Sequence, residues 1–272
     1  KPLYHFLPGS KTYSVAAFGC NFTCSFCQNW EISQKRSAEG FYRHASSMPP
    51  QEIIDEALLS GCTSIAFTYT EPTVFFEYAL ETAKLAKQNT LKTIFVSNGY
   101  MTREALDAIA PWLDACNIDL KSFSDDFYRK HCRARLQPVL DSIRKIHSLG
   151  IHLEITTLLI PGENDSIDEM KKTADFIVST DDSIPWHISR FFPCYKLKNH
   201  PVTSVETLNN AEETGRKSGL HYIYKGNVSC DTSTYCHVCK KCVIARDNRS
   251  VSEIGIHHGT CSFCGSEIKG VW

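Results

Sequence analysis

The chain has 272 residues, 42% hydrophobic and 22% charged, with a net charge of −1. That length suits one large α/β domain or one domain with a small appendage, and the composition excludes disordered, collagenous and coiled-coil classes. The near-neutral balance gives no electrostatic reason to expect a nucleic acid or an anionic membrane as partner. No apolar run approaches the ~18 residues of a spanning helix. The opening Lys1-Pro2-Leu3-Tyr4-His5-Phe6 lacks the apolar stretch of a secretory signal, so the expectation is a soluble, cytoplasmic protein.

In chain order, hydropathy patterns predict strands over 13–17, 64–69, 93–97, 115–120, 152–159, 186–192 and 221–224. Amphipathic helices are predicted between them, over 50–60, 74–87, 102–110, 137–149, 166–179 and 205–218. Pro50 is placed to start the first of these and Gly61 to stop it. Strands alternating with helices at this spacing predict an α/β fold with a parallel sheet, and a count of seven points to a partial or full (β/α) barrel over 1–226. From 227 to 272 helical periodicity stops and short polar turns separate cysteine pairs. That stretch reads as a small Cys-rich module with too few apolar residues to fold by burial alone.

Thirteen cysteines are many for such a chain, and without a secretory signal their clusters read as metal ligands rather than disulfides. Cys62, Cys116, Cys132 and Cys194 are scattered and read as small buried hydrophobes. Gly19-Cys20-Asn21-Phe22-Thr23-Cys24-Ser25-Phe26-Cys27 follows the first predicted strand, and strand ends are where ligands sit in parallel folds. Three thiolates on one loop hold three irons of a four-iron cluster and leave one iron open to a ligand. A three-cysteine zinc site with a water competes with this reading.

Cys20-x3-Cys24-x2-Cys27, with Phe26 before the last cysteine, resembles the signature of the radical S-adenosylmethionine (SAM) enzymes. The resemblance implies a [4Fe–4S] cluster whose open iron binds SAM, and reductive cleavage of SAM to a 5′-deoxyadenosyl radical that abstracts hydrogen from a substrate. Phe67-Thr68-Tyr69-Thr70-Glu71-Pro72-Thr73 and Asn117-Ile118-Asp119-Leu120-Lys121 are similar to stretches of glycyl-radical activating enzymes. That likeness implies backbone at Thr70 and Glu71 on the SAM ammonium and Lys121 on its carboxylate. It further places Phe26 near the adenine, and Ser97, Asn98 and Asp119 on the ribose, the methionyl group or a cation. Period-two alternation puts Asn117, Asp119 and Lys121 on one strand face. His187 and Arg190, on the sixth strand, are further candidates for the cavity, against the plainer reading of a strand histidine as a core residue.

Lys1 to Phe6 with Pro8-Gly9-Ser10, the stretches 27–34 and 186–197, and Gly270-Val271-Trp272 resemble the radical SAM member of the AmmeMemoRadiSam system. This family is related to pyruvate formate-lyase activating enzymes, and the likeness spans essentially the whole chain. It implies a radical SAM oxidoreductase with a protein substrate, an electron donor, and AMMECR1-like and Memo-like proteins as associates. Its members carry a further cysteine-rich stretch before the Lys-Pro-Leu-Tyr-His start, so the chain is expected to begin part-way. The sequence departs from the family at Phe192 and Cys194, where relatives have histidine and aspartate, which leaves room for a different or small-molecule substrate. A metal-stabilised binding protein is the alternative from another class.

In the tail, Cys236-x2-Cys239 and Cys261-x2-Cys264 have 21 residues between them, a spacing close to that of four-cysteine zinc ribbons. They predict a structural Zn2+. A second iron–sulfur cluster using Cys230, Cys236, Cys239 and Cys242 is the rival, opposed by the strand-like run Cys242-Val243-Ile244-Ala245.

Overall fold

The computed structural model describes residues 3–34, 48–247 and 250–272. Its strands and helices alternate as β1 (Thr12–Val15), α1 (Trp30–Ser33), α2 (Pro50–Leu59), β2 (Ser64–Phe67), α3 (Phe76–Gln88), β3 (Lys92–Ser97), α4 (Arg103–Ile109), β4 (Ala115–Asp119) and α5 (Asp125–Phe127). Then follow α6 (Gln137–Ser148), β5 (His152–Leu159), α7 (Ile167–Thr180), β6 (Trp186–Arg190), α8 (Val205–Ser218) and β7 (Ile223–Gly226). Side chains of Thr102, Ser166 and Ser204 accept from backbone N–H groups in the first turns of α4, α7 and α8, satisfying donors that a helix leaves open. Gly219 closes α8 at φ +109, a left-handed position where a side chain would clash with its own backbone.

β1 to β7 pair in sequence order, every pair parallel. An order with no reversal winds one way, as a barrel does, and among the described residues β1 and β7 are not paired, so the barrel is partial. Strand interiors such as Ile65, Phe67, Phe95, Ile118 and Ile155 are fully buried against the helices, as expected for parallel strands covered on their outer face. None of the described helices is long and apolar enough to cross a membrane.

The base of the barrel is closed by both ends of the chain. Phe6 packs on Ala66, Ile94 and Ala115 inside the sheet, and the Leu7 amide donates to the Val271 carbonyl at 2.7 Å. Glu154, fully buried on β5, accepts from the Tyr4 and His5 amides at 2.9 and 2.7 Å and from His187 and His152 at 2.5 and 3.1 Å. Burial pushes its pKa up, but the two imidazoles prevail and hold the carboxyl well below its ordinary range. His5, on the other side of this knot, bonds the Lys269 carbonyl and the Tyr224 hydroxyl.

The tail folds as a three-stranded antiparallel sheet of β8 (Thr234–Tyr235), β9 (Cys242–Asp247) and β10 (Ser250–Ile254), with the pair β11 (Ile256–His257) and β12 (Thr260–Cys261). It shares a small core with the barrel, in which Tyr222 and Tyr224 pack with Val243, Ile244, Ile256 and Ile268. Arg246 donates to the Tyr4 carbonyl at 2.6 Å and lies over its ring.

Three local features depart from the periodicity. The predicted helix over 74–87 is α-helical only from Phe76, after a 3-10 turn at Pro72–Phe75. The last barrel strand registers against β6 only from Ile223, two residues later than predicted, because the His221 amide is taken by the Asp182 carbonyl. Between β4 and α6, where periodicity predicts no element, α5 runs into a π-turn at Tyr128–Cys132.

Candidate functional site

A cavity of about 350 Å³ opens at the carboxyl ends of the strands, opposite the plugged base. Its wall takes residues from the loop after β1 and from the ends of β2 to β6, with Asn227 after β7. Only a curved sheet brings so many successive strand ends to one space.

The cysteine loop forms one side. Gly19, at φ +103, makes the turn out of β1. Cys24 is buried, Cys20 and Cys27 are half-buried, and all three line the cavity. Burial pushes the Cys20 thiol up to about 12 and raises that of Cys27. The Cys24 thiol is instead lowered, chiefly by a hydrogen bond from the side chain of Cys132. Asn98 Nδ2 lies 3.8 Å from the Cys20 sulfur, and Ser33 Oγ and the Cys27 sulfur are 3.1 Å apart.

The strand ends supply the polar wall. At the end of β2 the chain turns sharply through Tyr69 at φ +66, and Asn29 Nδ2 caps the Tyr69 carbonyl at 2.8 Å. Glu71 is buried and accepts from Ser97 Oγ, the Asn98 amide and Thr73. Desolvation raises its pKa against those bonds, so it orders the ends of β2 and β3. Lys121 Nζ lies 3.1 Å from Asp119 and 5.9 Å from the centre of the Phe26 ring, with 13% of its side chain exposed. Burial alone would lower its pKa, but negative charge at the neighbouring cysteine sulfurs, Cys24 first, outweighs that and raises it.

Ten of the twelve residues singled out around the cysteine loop therefore face one cavity: Cys20, Cys24, Cys27, Phe26, Thr70, Glu71, Ser97, Asn98, Asp119 and Lys121. His187 and Arg190 do not line it. His187 sits one layer lower on β6, bonded to Glu154 and stacked on Tyr224 at the barrel base. Arg190 is on the other face of that strand, donating to the Thr203 carbonyl. The structure adds Thr156, Leu158 and Ser189 to the wall. Alternation along β5 and β6 selects their face, but no sequence motif marks them.

In the tail, Cys236, Cys239, Cys261 and Cys264 bring their sulfurs within 4.8 Å of one another. The Cys236–Cys264 and Cys239–Cys261 sulfurs are 3.7 Å apart. Cys230 lies outside this group, bonded to the Lys225 carbonyl, and Cys242 is exposed at the start of β9.

The sequence profile of the radical SAM superfamily matches residues 15–177, a span that holds the cysteine loop and the strands β2 to β5. The chain belongs to the radical SAM superfamily. An uncharacterized protein of Methanocaldococcus jannaschii is 40% identical over 98% of this chain and 80% of its own length. A second protein of that organism, provisionally named a glycyl-radical enzyme activating enzyme, is 26% identical over 86% of each chain. Among solved structures, a radical SAM methyltransferase from Sphaerobacter thermophilus superposes with a TM-score of 0.62 at 17% identity, covering 81% of this chain and 67% of its own. A domain of a pyruvate-formate lyase-activating enzyme from Bacteroides vulgatus gives 0.51 at 20% identity, over 60% of this chain and 99% of that one. At these identities the superpositions establish the radical SAM fold, and family membership implies a [4Fe–4S] cluster and SAM.

Proposed function

We propose that this radical SAM protein is an enzyme of the activating-enzyme type, in which Cys20, Cys24 and Cys27 hold three irons of a [4Fe–4S] cluster. The observation that carries the proposal is the convergence of three thiols on one loop with Lys121, Asp119 and the ends of β2 and β3 around a single cavity. The donor set fits: soft sulfur ligands suit iron, and three of them leave one iron open. When bound, the cluster supplies the electron that splits the SAM carbon–sulfur bond and so starts hydrogen-atom abstraction from a substrate.

The chain's own residues bind and orient. The Lys121 ammonium, held charged beside Asp119, attracts the SAM carboxylate. The backbone at Thr70 and Glu71 accepts from the ammonium, with Glu71 fixed by its bonds to Ser97 and Asn98. Phe26 offers an apolar face to the adenine. Ser97, Asn98 and Asp119 take the ribose, the methionyl group or a cation.

A cavity of about 350 Å³ is near the lower end of the ~300–1,000 Å³ that small-ligand sites span. A protein segment is the substrate class that the similarity to a protein named as a glycyl-radical enzyme activating enzyme supports. An electron donor, and AMMECR1-like and Memo-like proteins as associates, belong to the same proposal. The thirteen cysteines are all free, in keeping with a reducing cytoplasm.

For the tail the proposal is a structural Zn2+ on Cys236, Cys239, Cys261 and Cys264. A Zn–S bond of ~2.3 Å in tetrahedral geometry separates sulfurs by about 3.8 Å, close to the 3.7 Å of two of the pairs. Thiolates that each take a different iron of a cubane stand farther apart, because the irons themselves are separated.

The test is anaerobic reconstitution of the full chain. Brown protein with about four irons at the loop that cleaves SAM under reduction supports the reading. Colourless protein that binds zinc alone defeats it.

A further inference from the structure

Two segments outside the cavity hold the cysteine loop from behind. In the π-turn Tyr128–Cys132, the His131 and Cys132 carbonyls accept from the Ser25 and Thr23 amides at 2.9 and 3.1 Å. In the turn after β6, the Lys196 amide donates to the Ser25 carbonyl at 3.0 Å and the Cys194 thiol to the Phe26 carbonyl at 3.3 Å. Tyr195 stacks there on Trp30, with ring centres 5.1 Å apart. Glu163 joins the two segments, meeting Lys130 and His131 at 2.8 Å and His200 at 3.3 Å. No residue of 125–135 or 194–200 lines the cavity. The loop thus shows its three cysteines to the cavity and its backbone to a second face.

That second face is basic. Residues 125–135 and 194–200 carry six exposed cations, Arg129, Lys130, Arg133, Arg135, Lys196 and Lys198, against Asp125 and Asp126, in a chain whose net charge is −1. Asp125 takes Arg129 at 2.7 Å and Arg135 at 3.6 Å, and Glu163 takes Lys130. Among the described residues, Arg133, Lys196 and Lys198 have no carboxylate partner. Arg133 closes the π-turn at φ +54, a left-handed position that favours glycine. Clustered cations repel one another, and an acidic surface laid on them relieves that repulsion.

We propose that this face docks an acidic iron–sulfur protein of the ferredoxin type, which delivers the electron for SAM cleavage through the back of the cysteine loop. The reaction needs one electron at low potential, and iron–sulfur carriers supply single electrons at the low end of the range. The transfer oxidises the carrier by one electron and reduces the loop cluster by one, with no bond made or broken. Complementary charge orients such an encounter and speeds it, and the cavity mouth stays open to the substrate. The proposal rests on the reading of Cys20, Cys24 and Cys27 as cluster ligands.

The experiment uses the anaerobically reconstituted full chain, with an acidic plant-type [2Fe–2S] ferredoxin as probe. Arg133→Glu, Lys196→Glu and Lys198→Glu are combined in one variant. Lys171→Glu, Lys172→Glu and Lys217→Glu, at exposed positions of α7 and α8, make a control of equal charge. Affinity for the ferredoxin is measured against salt, and SAM cleavage is driven once by reduced ferredoxin and once by dithionite. Wild type and control are expected to bind with an affinity that falls as salt rises, and the first variant to bind about tenfold more weakly or worse. Its ferredoxin-driven cleavage falls, while its dithionite-driven cleavage and iron content match wild type. A neutral set, Arg133→Gly, Lys196→Gln and Lys198→Gln, suits the backbone at 133 and should lose less affinity in the same direction. Wild-type affinity in both variants of the face overturns the proposal, as does an equal loss in the control, salt-independent binding, or a wild type that binds no ferredoxin. A flavin carrier protein that binds this face where the ferredoxin does not overturns it as well. A wild type that cleaves no SAM with dithionite defeats the functional reading instead, and the ratio of affinities still judges the docking face.

Discussion

The two cysteine clusters use the same side chain for opposite ends. At the cavity, three thiols are spread along one loop and share their surroundings with Lys121, Asp119 and a space of about 350 Å³. In the tail, four thiols close on one another within 4.8 Å. A site one ligand short keeps a coordination position for a reactant, whereas a site with four ligands spends every position on holding the fold. What distinguishes the two arrangements is the number of thiols brought together and their polar company, and neither shows in the total of thirteen cysteines.

Removing one ligand at each site is the hardest test of that contrast. Cys24→Ser is expected to abolish detectable reductive SAM cleavage and release the loop iron while leaving the tail metal in place. Full retention of iron and cleavage would end the assignment of the loop. Cys261→Ser should do the reverse: the tail metal is lost and the melting temperature falls by about 10 °C, because this module has little other core. Metal analysis of a chain with Cys20, Cys24 and Cys27 all replaced by serine sharpens the contrast further. One zinc and no iron supports the closed site, and about four residual irons would replace zinc with a second cluster.

The two regions meet at the barrel base, where titration reads how tightly they are joined. His5 is fully buried between Tyr224 and the Lys269 carbonyl, and burial lowers its pKa from 6.5 to about 4. The unfolded chain takes up a proton at His5 near pH 6.5 and the folded chain does so only near 4. The folded state therefore loses stability as pH falls across that window, by about 3 kcal/mol in all. Glu154, whose pKa is held down, adds its loss below the ordinary carboxylate range. Urea midpoints at a series of pH values check this. His5→Gln should flatten the wild-type slope between pH 6.5 and 4 whatever its absolute stability, and an equally steep slope in that variant would remove His5 from the joint.

Much of this was legible from residue order. The strand over 152–159 and the helix over 205–218 have the predicted bounds, since β-branched runs and a Ser cap with a glycine stop are local signals. The cavity residues of the cysteine loop and of β2 to β4 were legible because motif and strand end coincide. His187 was misplaced because alternation gives a side chain's face but not its height along the strand. Arg190 failed on the face itself. The joint at the base was not legible: His5 and Lys269 are 264 residues apart, and no local pattern encodes such a contact. Nor was the π-turn, which has no period of its own.

The smallest expected effect bears on the company that the loop keeps. If the cavity rather than the cysteines alone distinguishes the two clusters, weakening its polar wall must weaken SAM binding without touching iron. Lys121 is the residue to change, because it is the cation that faces the loop thiols and is paired with Asp119 at 3.1 Å. Lys121→Ala removes a charge-assisted hydrogen bond worth about 1.5–3 kcal/mol, or roughly ten- to a hundredfold in affinity. Lys121→Arg keeps the charge but presents a planar fork in place of a point donor, and should fall between the two. Equilibrium binding of SAM to the oxidised, cluster-loaded protein measures this apart from turnover. Unchanged affinity in Lys121→Ala at full iron content would place the SAM carboxylate elsewhere and leave the loop's three ligands as the sole difference between the clusters.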